Sequence, residues 1–449
     1  MTAMGYKLAG EVFIEPCEDS FLVYAPLHGA AFTVNDSAAA FLKALIADEV
    51  ADVPPTHREL LSFIDELGLL NRAEPQKPLV EDSPFEPTSA YLLLTADCNL
   101  HCQYCFSNGG DSKTNLPAHI AKAAIDIIVQ NAARTKGKPK IRYHGGGEPT
   151  MRWEVLTETA MYLKSEAAKR SLTPHIGINT NGVLPEYKLS WLAEHVDAIY
   201  ISFDGPAAVH DAQRPSRGGG GSFAQVWRTM CWLSERGKKF AVRSTITKGN
   251  YAHMADMIDM LSGFKLNGIE LEPLTVCGRA YTSQSVPPEP DEYIQGYKEA
   301  YARAKKHGLD ILYSGVRIDG IGSIFCGAAG RNFAVTPTGH STFCHRVSDA
   351  ADPAAEHYFY GKYNETEGTF VFDREKIARM KSISCEKSSA CKDCFAKWNC
   401  GGGCYSANFS ETGKLMLDEK TDRCSMTREL TKFRIIERME SNSQASRNR

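Results

Sequence analysis

The stretch Leu92-Leu93-Leu94-Thr95-Ala96-Asp97-Cys98-Asn99-Leu100-His101-Cys102-Gln103-Tyr104-Cys105 is an apolar strand that ends abruptly in three thiols spaced CxxxCxxC. Three thiols are one short of a closed site. A structural zinc takes four protein ligands, whereas a cubane iron–sulfur cluster held by three cysteines leaves one iron open to bind a small molecule. On spacing alone, a zinc loop completed by a distant ligand and a set of unrelated reduced thiols stand beside the cluster as readings.

Outward from this stretch, strand-like and helix-like segments alternate from Ser89 to about Tyr313. The patterning predicts strands near 90–96, 139–144, 174–180, 197–203, 239–247 and 267–274, with amphipathic helices between them such as Ala118 to Ala132 and Trp153 to Lys169. Six such units predict an α/β fold, an incomplete (βα)6 barrel of the TIM type over residues 89–315. Parallel barrels place their working groups where strands end, and the polar motifs fall there. His144-Gly145-Gly146-Gly147-Glu148-Pro149 follows the second strand. Its glycines allow close approach to the backbone and Glu148 can accept from a cationic amine, the plain alternative being a glycine turn. Asn179-Thr180-Asn181-Gly182 ends the third strand, Ile201-Ser202-Phe203-Asp204-Gly205 lies on the fourth, and Arg243 lies on the fifth. The run Gly218 to Gly221 lacks the Lys-Ser/Thr of a phosphate loop and reads as a mobile loop over the site. His144 reads as a packed histidine.

With Tyr104 before the last cysteine, the CxxxCxxC stretch resembles the signature of the radical S-adenosyl-L-methionine (AdoMet) superfamily. The resemblance implies a [4Fe-4S] cluster on Cys98, Cys102 and Cys105 whose open iron is chelated by AdoMet, and a 5′-deoxyadenosyl radical that takes a hydrogen atom from the substrate. It implies AdoMet contacts at Tyr104, at Gly146, Gly147 and Glu148 (the amino group), at Ser202 and Asp204 (the ribose), and at Ser222 and Arg243 (the carboxylate). Capping and core salt-bridge roles remain open for these single residues. No catalytic acid or base is assigned.

Toward the C-terminus come Cys326, Gly339 and Cys344, then Cys391-x2-Cys394-x5-Cys400-x3-Cys404, then Cys424. Seven thiols in this order resemble the SPASM extension of peptide-modifying radical enzymes, over residues 316–437. By that resemblance Cys391, Cys394, Cys400 and Cys424 hold one auxiliary [4Fe-4S] cluster, and Cys326, Cys344 and Cys404 hold another, for three clusters in all. The last position of the second could take Cys385 or Cys277, or stay open. A zinc ribbon on the two close pairs is the alternative. Cys17 and Cys231 read as ordinary buried or semi-exposed thiols.

At the other end, Leu8 to Ile14, Phe21 to Tyr24 and Phe32 to Val34 predict a small antiparallel sheet. Asn35-Asp36-Ser37 then caps a helix with Ala40, Phe41, Ala44 and Leu45 at helical spacing, and a second helix runs from Thr56 to Leu70. This winged-helix-like order over residues 1–75 resembles the leader-recognition element (RRE) of ribosomal-peptide (RiPP) tailoring enzymes. Such elements take an extended peptide as an added strand. A structural cap is the other reading. A DNA-binding wing is disfavoured, because residues 1–75 hold four Lys and Arg against twelve Asp and Glu. Residues 76–88 read as a proline-containing linker and residues 438–449 as a disordered tail.

Composition fits this picture. The 449 residues carry 51 Lys and Arg, 54 Asp and Glu and a net charge of −3, which implies no polyanionic partner for the chain as a whole. No run approaches the ~18 apolar residues of a membrane span, and no signal sequence opens the chain, so the expectation is a cytoplasmic protein. There 14 cysteines mean metal ligation rather than disulfides. The expectation is thus a radical AdoMet oxidoreductase that modifies a precursor peptide, forming a crosslink or an oxidised residue, and is served by a reductant such as flavodoxin or ferredoxin. An anaerobic sulfatase-maturing enzyme is the near alternative. It would carry an aspartate base directly after the cysteine matching Cys344, where this chain has His345. A non-catalytic zinc-bound peptide adaptor is the alternative of another class.

Overall fold

The computed structural model describes residues 6–50, 52–71, 75–78 and 83–447, the last four by backbone alone. Two sheets organise it. The first is antiparallel, β1 (Phe13–Pro16), β2 (Phe21–Ala25) and β3 (Ala30–Val34), in the order β1-β2-β3. Asn35 caps the helix Asp36–Ile46 by accepting from Ala38 N–H, as its residue type favours. A helix over Arg58–Glu66 follows, shorter than expected because Pro54 and Pro55 confine its first turn to a 3-10 segment. Leu8 lies outside β1 and instead bridges Leu70. Val23, Phe41, Leu42, Leu45 and Ile64 form this unit's own core.

The second sheet has eleven strands. Its middle is parallel: β4 (Ser89–Leu92), β5 (Lys140–Tyr143), β6 (His175–Thr180), β7 (Ala198–Ser202), β8 (Phe240–Ile246) and β9 (Leu266–Pro273), each hydrogen-bonded to the next. These are the six strands that the patterning places. β10 (Ile311–Leu312) extends the parallel run beyond β9. On the far side β11 (Ala334–Val335) pairs parallel with β4, and β12 (His340–Thr342), β13 (Phe359–Asn364) and β14 (Thr369–Phe372) continue antiparallel. The cysteine-rich region is therefore welded to the barrel by one continuous hydrogen-bonded sheet. The sheet does not close on itself: β10 and β14 are its two ends.

Helices cover the outer face. Ala118–Thr135 buries Ile120, Ala121, Ala124, Ile125, Ile128 and Val129, the stripe that a 3.6-residue repeat aligns. Pro290–His307 is closed at both ends, by a Glu289/Glu292 capping box and by Gly308 in the left-handed region. Along β8 the alternation sets the site: Phe240, Val242 and Ile246 enter the helix-covered core, while Arg243 and Thr245 face the inner cavity.

The tail differs from expectation. Residues 438–447 continue the helix Asp422–Arg447 instead of disordering, and residues 448–449 of the expected tail lie outside the described residues. Arg438 bonds Ile318 O and Asp319, Met439 packs near Leu22 and Tyr24, and Ser441 and Ser443 donate to carbonyls four residues back. The polar residues thus serve helical hydrogen bonds that composition alone does not reveal. Among the described residues, no helix is long and apolar enough to cross a membrane.

Candidate functional site

Cys98, Cys102 and Cys105 leave the C-terminal end of β4 and line one cavity of about 180 Å³. Arg279 clamps their loop, donating to Cys102 O (2.9 Å) and Gly109 O (3.0 Å) and pairing with Asp111. Donors already point at sulfur: Gly109 N–H stands 3.2 Å from Cys105 Sγ and Asn181 Nδ2 3.8 Å from Cys98 Sγ. The segment 215–217, just before the Gly218 to Gly221 run expected to be mobile, is pinned against the cysteines. His101 N–H donates to Pro215 O, Arg217 N–H to Asn99 O, and Arg217 pairs with Asp97.

The glycine motif after β5 lines the same cavity, for a reason the sequence does not reveal. A Cβ on Gly147 would stand 1.8 Å from Asp97 O, and one on Gly146 2.4 Å from Thr95 O. Gly147 N–H donates to Thr95 O and Glu148 N–H to Asp97 O, so the glycines let two strand ends touch. Glu148 is 3 % exposed and its pKa is raised, by burial first, against hydrogen bonds from Asn181 N–H and Thr150 that oppose the rise. Thr180 also donates to it.

Tyr104, Ser202 and Arg243 line the cavity too. Arg243 pairs with Glu270. Two expected AdoMet contacts do not reach it. Asp204 is 1 % exposed and bound inward to Tyr104 OH, the Arg214 guanidinium and Thr245 N–H. Ser222 is fully buried, donating to Arg214 O and lying 3.1 Å from His210 Nε2. In this structure both organise Arg214, which does line the cavity, while neither lines it directly. Their misplacement is physical: a buried carboxylate needs a cation, and Arg214 supplies it within the protein. His144, expected as packed core, is half-buried and lines the cavity with its ring centroid 4.1 Å from that of His345. Burial pushes His345 down to about 3 and His144 well below the usual histidine range, with nearby arginines acting in the same direction, so both rings are neutral.

A second cavity, of about 220 Å³, adjoins the first through Arg243, Glu272, His345 and Arg346. All seven C-terminal thiols, Cys326, Cys344, Cys391, Cys394, Cys400, Cys404 and Cys424, line it. Cys385 and Cys277 do not. Cys385 is packed with Cys391 and Trp398, and Cys277 lines the first cavity. The donor chemistry fits iron–sulfur clusters. Seven thiols line one cavity, burial holds Cys326 and Cys344 up at about 12, and one buried donor has no partner there, Arg346 Nη1. A tetrahedral zinc would require thiolates about 3.8 Å apart, given a Zn–S distance of about 2.3 Å. Among the described residues no three His, Cys, Asp or Glu side chains are set closely enough to hold a single ion.

Comparison with known proteins agrees with this geometry. Residues 92–261 match the radical SAM superfamily, and the chain carries a radical SAM domain on an α/β partial barrel with a cysteine-rich C-terminal region. The chain is similar to radical SAM enzymes, a cysteine-type anaerobic sulfatase-maturating enzyme of Clostridium perfringens among them. The radical SAM cyclopropyl synthase TigE of Paramaledivibacter caminithermalis is 22% identical over 77% of this chain and 73% of its own length. The Fe-coproporphyrin III synthase of Methanosarcina barkeri is 30% identical, over 41% of this chain and 44% of that protein. Among solved structures, anSMEcpe with bound AdoMet superposes with a TM-score of 0.63 at 19% identity, covering 79% of this chain and 96% of that one. Streptococcus suis SuiB bound to its precursor peptide SuiA gives 0.54 at 14% identity, covering 93% and 99%.

Several site residues escaped the sequence reading. Asn181 sits in a strand-end motif that was visible but had no role. Arg279 carries no local signal, since the carbonyls it binds, Cys102 O and Gly109 O, lie far from it in the chain.

Proposed function

We propose that the chain is a peptide maturase that removes a hydrogen atom from a ribosomally made precursor and then forms an intrapeptide crosslink. Cys98, Cys102 and Cys105 hold a [4Fe-4S] cluster, and Gly146, Gly147, Glu148, Ser202, Arg243 and Tyr104 form the AdoMet pocket. When bound, this pair supplies the radical that takes the substrate hydrogen. Cys391, Cys394, Cys400 and Cys424, with Cys326, Cys344 and Cys404, hold two auxiliary clusters. Residues 1–75 bind the leader, residues 89–315 are the catalytic barrel, residues 316–437 carry the auxiliary clusters, and a flavodoxin or ferredoxin supplies electrons.

One observation carries the reading: the three-thiol cavity at the strand ends opens directly onto the cavity of seven thiols. A third cleft of about 760 Å³ meets the first at Phe106, Ser107, Gly146, Cys277 and Arg346, giving a peptide a way in. Relatives solved with peptides, the anSMEcpe complex with Cp18Cys and the SuiB complex with SuiA, support that substrate class. A sulfatase-maturing activity is the weaker reading, because neutral His345 stands where a carboxylate base would be needed. Co-expression with a candidate precursor followed by mass spectrometry tests the proposal. Loss of two hydrogens with a blocked fragment ladder is expected; a formylglycine mass change on a sulfatase peptide, with the precursor untouched, would overturn it.

A further inference from the structure

Two carboxylates share the inner face of β9. Ile269 and Leu271 enter the helix-covered core, so strand alternation sets Glu270 and Glu272 on the opposite side. Glu270 pairs with Arg243, whereas Glu272 has no cation. It is 7 % exposed, and Ser314 holds both its oxygens, through N–H to Oε1 (2.8 Å) and through the hydroxyl to Oε2 (2.9 Å). Among the described residues no ion pair includes it. Asp204, also buried, has Arg214 at 2.9 Å. Buried charges are ordinarily paired because withdrawing them from water is costly, so a bare carboxylate here calls for a reason other than stability.

Its position supplies one. Among the described residues, Glu272 is the one carboxylate that lines both the three-thiol cavity and the seven-thiol cavity. Glu148, the other carboxylate on the first cavity, is engaged by Thr150, Thr180 and Asn181 N–H. His345 lines both cavities too, but its ring is packed among those of Tyr91, Phe106 and His144. A carboxylate offers about four acceptor sites and Ser314 fills two, so Glu272 can still accept from a group lying between the cavities.

We infer that Glu272 is the catalytic base that takes the proton released when the crosslink closes. This rests on the peptide-maturase reading above. Joining two substrate atoms breaks one bond to hydrogen on each and forms one bond between them. The first hydrogen leaves as an atom, taken by the AdoMet-derived radical to give 5′-deoxyadenosine. The second leaves as a proton to Glu272, and the remaining electron passes to an iron–sulfur cluster of the auxiliary kind. A base must stand within hydrogen-bond reach of the proton it removes, and the wall between the two cavities gives Glu272 that reach.

The test uses full-length protein reconstituted anaerobically with iron and sulfide, and the precursor on which the wild type installs a crosslink in the co-expression experiment. The readout is crosslinked peptide formed per 5′-deoxyadenosine. Glu272→Gln should lower this ratio by about tenfold or more at wild-type iron content. It should not lower the urea midpoint, since the amide still accepts from Ser314 and no buried charge is left without a cation. Ser314→Ala, which spares the carboxylate, should keep the ratio near that of the wild type. If Glu272→Gln takes up no iron, Glu272→Asp is measured instead; its carboxylate is set back by one methylene and the ratio should fall. An unchanged ratio in the Glu272 variant, an equal loss in Ser314→Ala, or a lower urea midpoint in Glu272→Gln would overturn the inference. A wild type that crosslinks no precursor would overturn the peptide-maturase reading itself, and this inference with it.

Discussion

Lys397 Nζ stands 2.6 Å from Glu11 Oε1, both side chains largely buried, and joins the N-terminal sheet to the cysteine-rich region across the length of the chain. Trp398 Nε1 donates to the other Glu11 oxygen, Arg428 pairs with Glu15, and Tyr24 OH donates to Asn399 Oδ1. The first sheet is therefore docked on the segment that carries Cys391, Cys394 and Cys400. Glu11→Ala leaves a buried ammonium unpaired and should cost about 3 kcal/mol in urea unfolding. A loss under ~0.5 kcal/mol would mean the pair is solvated.

Because of that docking, deleting residues 1–75 would damage the cysteine-rich region as well as any peptide site, and point substitutions separate the two. β3 is an edge strand. Phe32 on it meets Phe63 edge-on with centroids 5.1 Å apart, and Phe63 is 43 % exposed. An added peptide strand would cover this apolar pair. Phe63→Glu should weaken precursor binding at least tenfold in fluorescence anisotropy while leaving uncoupled AdoMet cleavage intact. Unchanged affinity would reduce this unit to a structural cap.

Replacing Cys98, Cys102 and Cys105 together by Ala should abolish 5′-deoxyadenosine formation and retain auxiliary iron. Persistent 5′-deoxyadenosine, measured by chromatography, would contradict the assignment of that cavity.

His210 predicts a pH dependence. Its Nδ1 accepts from Asp204 N–H, and burial pushes it down to about 4 from a usual value near 6.5. Between these values the unfolded chain binds a proton that the folded one refuses, so stability is full above pH ~6.5 and falls as the pH drops toward 4. The loss from this group approaches about 3 kcal/mol. Urea midpoints should decline from pH 7 to 5 and decline less in His210→Gln; parallel profiles would show that another group dominates.

How much was legible follows from distance along the chain. The six parallel strands and the motifs at their ends are local patterns, and they stand where the patterning places them. The role of Gly147 was not legible, because its constraint is Asp97 O on another strand. The family resemblance makes Asp204 and Ser222 ligand contacts, yet their partner Arg214 becomes adjacent only on folding. Arg346 carries no sequence pattern at all; only its unpaired Nη1 beside the cavities marks it.

The most direct test of the account is the electron paramagnetic resonance spectrum of reconstituted, reduced protein with and without AdoMet, compared with the Cys98, Cys102 and Cys105 to Ala variant. The account predicts that AdoMet shifts one signal and that this signal is missing from the variant. A spectrum unchanged by AdoMet would contradict it.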